Sequence, residues 1–548
     1  MRKRVLSVML AASMAISGLV GCGAKTSGNE SAATQGASST AAGTEEQKAD
    51  ANFNETGYPI VKEPITLKVM LAIRDVDSLV DINDMPAIQA LEQETGIHVE
   101  WEVIKGSDWN TKLNLAFASG EYPDVILSVN SPVDKEEFGV TQQLLLPLDE
   151  LTKKYMPNYT ERTEAEENDP TMGLMASDGK HYSVGFMMAQ NINVAQHFFI
   201  NQTWLDNLGL QTPTTLDELT EVLRAFKTGD PNKNGEADEV PLELGLDTGF
   251  YGVRHMLPMF GVPCATEKKW IYIDDNKKVQ MAATQPGFRQ CMEWLHAMYA
   301  EGIADAELVS QDINTIETKV KEGNVGFFTA WRLKQMGWEE SVEKDCTLFM
   351  PTAPEGTKAS LARSLELAKN GAYVTAGNQH VPETMRWLDS MLDLETMFSL
   401  YYGKEGEAWS FGTNGKIDTA PMDPTRVKDC LDANSLFYAP AKYLSEHYNM
   451  APQRLEKTDY CQKYEAAGII QKYSNNYLTM APLTSEQLQN STLKETDINN
   501  AVVENMATFV TNGVTDDSWN TFVKLFDDMQ IAEYIQMYQD AINQMEIE

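Results

Sequence analysis

Six cysteines are spread over 548 residues, and no two of them stand in C-x-x-C spacing. Leaving Cys22 aside, the remaining five (Cys264, Cys291, Cys346, Cys430 and Cys461) are odd in number and far apart. That argues against a disulfide framework and a zinc site, and leaves them as small buried residues. The seven histidines are scattered singly, so each reads as a surface or core residue rather than a catalyst. No H-E-x-x-H, G-x-S-x-G or G-x-x-x-x-G-K-[ST] motif occurs. Basic residues are scarce: 44 Lys and Arg against 80 Asp and Glu give a formal charge of −36. Such a surface disfavours nucleic acid, anionic lipid and polyanionic polysaccharide, and its ordinary effect is solubility. No apolar run reaches the ~18 residues that a membrane span needs.

What is present starts with a targeting pattern. Arg2, Lys3 and Arg4 precede an apolar stretch over residues 5–20, and "LVGC" (Leu19–Cys22) closes it. This predicts a signal segment over residues 1–21. Small residues directly before a cysteine resemble the lipobox of bacterial lipoproteins, in which Cys22 would be lipidated and become the first residue of the mature chain. An ordinary signal with a chance cysteine is the alternative. Diacylation supplies the second chain that stable anchoring requires. Residues 22–60 are then expected to be a lipidated cysteine and a disordered tether. Over 23–57 the composition is mostly Ser, Thr, Ala, Gly, Asn and Glu with one aromatic, Phe53, too little apolar surface to offset ordering. A flexible coil of that length reaches roughly 30–35 Å. The expected place of the body is therefore extracytoplasmic, held to the cell membrane by lipid alone.

The body opens with "ITLKVMLA", a helix near 85–95 closed by Gly96, "HVEWEVI", the helix "WNTKLNLAFASG" and the buried strand "YPDVILS". Strand–helix alternation predicts an α/β fold with a parallel sheet, and ligands bind beyond the carboxyl ends of such strands. Asn130 stands at that end of the third strand. With 43% hydrophobic residues, the chain can fill more than one core, and two lobes are expected. "TPTTLDEL" predicts a capping box, Thr215 with Glu218. The last thirty or so residues carry apolar side chains at helical spacing, a core face.

The loop "DPNKNGEADE" (Asp230–Glu239) places Asp, Asn and Asn at positions 1, 3 and 5 of an EF-hand-like pattern, with Gly235 at position 6. Carboxylates follow at 9 and 10, yet position 12 is Pro241, so the bidentate Glu and the exit helix of a calcium switch are both missing. An Asx-rich turn without metal is the alternative.

Five motifs, in order, carry a resemblance: "ASGEYPDVI", "DGKHYSVGF", "FFINQTWLDNLGLQTPTTLDEL", "VKEGNVGFFTAW" and "YYGKEGEAWSFGTNGK". With the lipobox and tether, they make the chain resemble the extracellular solute-binding proteins, family 1, of ABC carbohydrate importers. Within that group it is most similar to the branch that includes alginate-oligosaccharide binders. The resemblance implies a periplasmic-binding-protein-like fold of type II, two α/β lobes joined by hinge strands around a ligand cleft. It implies an N-terminal lobe from residues 61–187 and 362–450 and a C-terminal lobe from 188–361 and 451–548, the latter carrying the loop at 230–239. It implies a structural Ca2+ there, held by Asp230, Asn232, Asn234, the backbone carbonyl of Glu236, Asp238 and Glu239. Calcium's demand for six to eight oxygens agrees with that donor set. It also implies a monomer that delivers an oligosaccharide to permease subunits.

A pyranose offers an apolar C–H face to Trp or Tyr and hydroxyls to polar partners. Trp331 stands where maltose-binding-type relatives place a stacking Trp, and Trp409 lies in a loop that faces the cleft in the family. Trp270, Tyr251, Phe186, Asn130 and Arg332 complete the expected contacts. The overall acidity points to a neutral oligosaccharide. A peptide binder is one alternative. A surface glycoside hydrolase is another; it needs two opposed carboxylates in one cleft, but no segment here resembles such an enzyme.

Overall fold

The computed structural model describes residues 51–75, 81–167, 169–189, 194, 196–264, 270–333, 340–420, 430–450, 452–545 and 547. The signal segment, Cys22 and the first part of the tether lie outside these residues.

The N-terminal lobe is built on a six-stranded sheet. Its spatial order is Tyr438–Ala439, Val184–Met188, Lys369–Val374, Val125–Leu127, Ile65–Ile73 and Ile97–Lys105. Only Lys369–Val374 runs against the others. "ITLKVMLAI" is almost continuously apolar because both faces of this strand are covered. Leu67, Val69 and Leu71 pack with Ile88, Leu91, Trp387 and Leu388 on one side. Met70 and Ala72 pack with Trp109, Leu113 and Phe117 on the other. The helix Pro86–Thr95 stops at Gly96, whose φ of +77° turns the chain into the next strand at little steric cost to a glycine.

The C-terminal lobe has a four-stranded sheet ordered Cys346–Phe349, His197–Asn201, Val325–Ala330 and Val240–Glu243. Phe198, Phe199, Phe327 and Phe328 are fully buried in a core that continues into the helices of residues 485–544. The chain passes between the two sheets after Met188, after Phe349 and after Ala439. This is the two-lobed α/β architecture expected from the sequence.

Two details differ from the sequence reading. Residues 51–60 are folded rather than loose tether: Ile60 N donates to Thr95 O and Lys62 N to Asn52 O, both at 2.9 Å. Phe53, the tether's lone aromatic, packs edge-on against Tyr155 at 5.9 Å, so it marks the start of the body. The capping box is shifted, since Thr215 accepts from Glu218 N at 3.2 Å while the Glu218 carboxylate reaches Thr214 N at 2.7 Å. The C-terminal apolar residues form a helical core face as expected, carried by two helices, Asp516–Asp528 and Ile531–Gln544, that part at Gln530 with φ +57°.

A buried carboxyl couples the C-terminal lobe to pH. Glu243 is fully buried; burial first, then the charge of Asp305, pushes its carboxyl up to about 9. Glu243 Oε2 has no other hydrogen-bond partner, so a retained proton lets it donate to Asp305, which Lys319 holds at 2.8 Å. Because the folded-state value is raised, the associated stability is complete below the ordinary carboxylate range and is lost as pH rises through about 9. Glu243→Gln keeps the donor without the titration. Melting curves from pH 6 to 9 should therefore fall less steeply for the variant than for the parent protein; identical slopes would refute the shared proton.

Candidate functional site

Both sheets carry polar or aromatic side chains at the edges where the chain crosses between lobes. In the N-terminal lobe, the carboxyl ends of Ile65–Ile73, Val125–Leu127 and Val184–Met188 lie on one edge, the last leading directly into a crossing. Arg74 follows the first of these strands and bonds Asp432 at 2.7 Å. Asn130 follows the second, donating to Ala433 O at 2.8 Å and to Asn434 Oδ1 at 3.2 Å. Asp432 holds a φ of +49°, an uncommon conformation outside glycine, in the turn that brings these partners together.

The facing edge of the C-terminal lobe is delivered by Val325–Ala330, whose Ala330 pairs with His197 at the start of the strand after the first crossing. Trp331 and Arg332 follow. Trp331 is half-buried, its ring centroid 5.1 Å from that of Phe250 at an angle of 42°. Thr329 Oγ1 fixes the Phe250 carbonyl at 2.7 Å. Lys457 Nζ, from the helix Pro452–Ala466, sits 2.6 Å from the Trp331 centroid. Burial, with the Arg332 charge acting in the same direction, pulls Lys457 down to about 6.

The other expected contacts are distributed differently. Trp409 is 2% exposed and donates to Gly403 O at 3.0 Å, with Phe398 and Phe411 against it; it is a core residue of a small hairpin, not an open platform. Trp270 is 4% exposed and donates to Asn499 at 3.1 Å, and Tyr251 is 2% exposed with its hydroxyl on Glu317. Packing inside their own lobe corrects the expectation for all three. Phe186 stands between Tyr401 and Phe437, each 6.4 Å away, still half-buried. Trp331, Arg332 and Asn130 are thus the expected contacts that reach the crossing edges.

Sequence reasoning missed Lys457, Arg74, Asp432 and Phe250. For Lys457 a signal exists: in "PQRLEKTDYCQKYEA" it stands three, four and seven residues before Tyr460, Cys461 and Tyr464, all buried. A lysine inside an apolar helical stripe is a charge placed in a core. A cavity of about 1080 Å3 also opens between the lobes, lined by Asn110, Asn114 and Asn370 from one and Met480, Leu483 and Met545 from the other. None of the expected contacts lines it.

The acidic loop follows the helix Leu216–Thr228. Asp230 Oδ1 accepts from the N–H groups of Asn234 at 3.1 Å and Gly235 at 3.4 Å. Asn232 and Asn234 both direct their side-chain amides to Asp238 Oδ1, at 3.1 and 3.0 Å, which holds its carboxyl below the usual range. Glu236 enters through its N–H, bonded to Asn234 Oδ1 at 2.7 Å. Glu239 Oε1 is buried with no partner; burial first, then the charges of Asp238 and Asp230, raises its carboxyl. Among the described residues no three His, Cys, Asp or Glu side chains are gathered at metal-holding distance. An ion here would therefore need the two asparagine carbonyls and a backbone oxygen beside the carboxylates. The unpartnered Glu239 oxygen and the all-oxygen donor chemistry fit a hard cation.

The family model described as bacterial extracellular solute-binding protein matches residues 81–396. The fructooligosaccharide ABC transporter substrate-binding protein FusA of Streptococcus pneumoniae is 26% identical over 98% of this chain and 97% of its own. FusA solved in complex with kestose superposes with a TM-score of 0.72, at 23% identity, over 88% of this chain and 99% of that one. An EF-hand mutant of FusA in complex with fructo-nystose gives the same TM-score over the same shares, at 22% identity. A solute-binding protein of Bifidobacterium longum infantis, described as binding HMO, gives 0.78 at 20% identity over 88% and 99%. The alginate-binding protein AlgQ2, solved without calcium ion, gives 0.62 at 19% identity over 90% and 100%.

Proposed function

This chain belongs to the bacterial extracellular solute-binding proteins, and on that premise we propose that it captures an oligosaccharide between its lobes for an ABC-transporter permease. The observation that carries the reading is the half-buried Trp331–Phe250 pair at the interlobe edge of one sheet, with Arg74 and Asn130 at the corresponding edge of the other. An aromatic face takes the C–H side of a sugar, and amide and guanidinium groups take its hydroxyls. FusA, similar over nearly its whole length, is named for fructooligosaccharides, which supports the class. The role is capture and delivery, with no bond of the ligand broken. A thermal-shift screen against a glycan panel tests it, using a soluble form that begins at Ala51, the first residue the structure describes. Stabilisation by peptides and by no glycan would overturn it.

We also propose that the loop Asp230–Glu239 holds a structural Ca2+ through Asp230, Asn232, Asn234, the Glu236 carbonyl, Asp238 and Glu239. An EF-hand is named in FusA, which supports this. No exit helix follows the loop, since the strand Val240–Glu243 begins at once, so the ion would staple a turn rather than drive a switch.

The anchor is proposed from "LVGC" and the tether. Among the described residues no helix is long and apolar enough to cross a membrane. Cys22→Ser should release the protein from the membrane fraction or block signal removal, with oligosaccharide affinity unchanged. Membrane retention of a correctly processed Cys22→Ser protein would contradict lipidation.

A further inference from the structure

The helix Pro452–Ala466 and the two strands at the first crossing leave several buried polar groups unpaired. Lys457 is 1% exposed and its Nζ has no hydrogen-bond partner, only the Trp331 face. Gln196 is equally buried with its Nε2 unpaired, and neither ring nitrogen of the fully buried His197 is bonded. These groups form one neighbourhood. His197 lies 5.1 Å from Tyr460 and 5.7 Å from Tyr464 on the same helix, and it feels the charge of Lys457. Lys457 in turn feels Arg332. Unpaired buried polar groups are rare in native proteins and call for an explanation, a missing ligand among them.

The balance of the cluster indicates what that ligand brings. An ammonium and an amide nitrogen are unmet donors, and Arg332 adds more positive charge. The neighbouring carboxylate, Glu456, does not answer them: its Oε1 takes the Tyr460 hydroxyl, and its Oε2 is itself buried without a partner rather than paired with Lys457, so two cations stand against one carboxylate. A sugar hydroxyl both donates and accepts, whereas a carboxylate only accepts and carries the charge that a buried ammonium lacks. We propose that the subsite beside Trp331 takes the carboxylate of an acidic sugar residue, held by Lys457 with Arg332 and Gln196. Burial pulls the Lys457 ammonium down to about 6, and an arriving anion restores its charge. The overall charge of −36, which argues for a neutral ligand, acts through water and is screened beyond about 8–10 Å. A desolvated cation a few ångströms away dominates inside the subsite.

This inference rests on the oligosaccharide reading, and its test keeps the two apart. Uronate-containing oligosaccharides, each beside its carboxyl-reduced neutral counterpart, are titrated by calorimetry into the parent protein and into Lys457→Met. The parent should bind an acidic member at least ten-fold more tightly than its reduced form. Lys457→Met should bring the two within about two-fold, while melting no lower than the parent because a buried cation has been removed. If the variant fails to fold, the parent's acid-to-neutral ratio decides alone. Equal affinities, a preference for the neutral forms, or a preference that survives in Lys457→Met would overturn the carboxylate subsite and leave oligosaccharide binding intact. Binding of no glycan at all would overturn both.

Discussion

Trp331→Ala should weaken oligosaccharide binding by about ten- to a hundred-fold. Burying one sugar face on an indole contributes roughly 1.5–3 kcal/mol, and each 1.4 kcal/mol or so is a factor of ten in affinity. The ring is positioned for the task by a strand that is buried along its whole length, Val325–Ala330, and by Phe250 beside it. Closure of the lobes requires a ligand that gains contacts in the closed form, and the proposed place for such contacts is the strand end that carries Trp331. Trp409 provides the control. Its ring is enclosed by Phe398 and Phe411, so Trp409→Ala should cost stability on the scale of a buried tryptophan, roughly 3–5 kcal/mol, with near-normal affinity in what stays folded. Calorimetry and a melting curve on both variants separate the roles. If Trp331→Ala behaves as Trp409→Ala should, the stacking assignment is wrong.

The fold was legible because its signals are local and agree with one another. "ITLKVMLAI", "VIL" and "GNVGFFTA" are mostly apolar runs, and strands covered on both faces require that pattern. The site was legible only in part, because a tryptophan's role depends on what packs against it from distant segments. Trp270 is tied to Asn499 and Trp409 to Gly403; neither contact leaves a mark in the residues next to the tryptophan. Trp331 differs because a strand end already fixes its position. Arg74 and Asp432 are 358 residues apart, and no spacing rule joins them. Lys457 left a trace that binary patterning exposes: a cation at a core position is either an error or a functional group. Phe53 reads as part of the tether from sequence, because its partner Tyr155 comes from a distant segment.

Chelation should lower the melting temperature by about 5–15 °C, and added calcium should restore it. An ion that binds only the folded state at a hundred- to a thousand-fold excess over its Kd adds about 3–4 kcal/mol, and each kcal/mol moves the midpoint of a domain of this size by about 2–4 °C. The loop is poised for that gain. Glu239 has a buried, unpartnered oxygen, and the charges of Asp238 and Asp230 act against its ionisation; a divalent cation reverses all three terms together. Without the ion, Asp238 is satisfied by the amides of Asn232 and Asn234, so the turn persists but is looser. Asp230→Ala removes both a carboxylate and the acceptor for two backbone N–H groups. It should melt low with or without calcium and show no difference between the two. Oligosaccharide affinity should hold within about two-fold under chelation, because the strand Val240–Glu243 follows directly and no helix pair can transmit a change. A chelator that leaves the melting curve unmoved, together with no calcium in elemental analysis of undialysed protein, would reduce the loop to a succession of Asx turns.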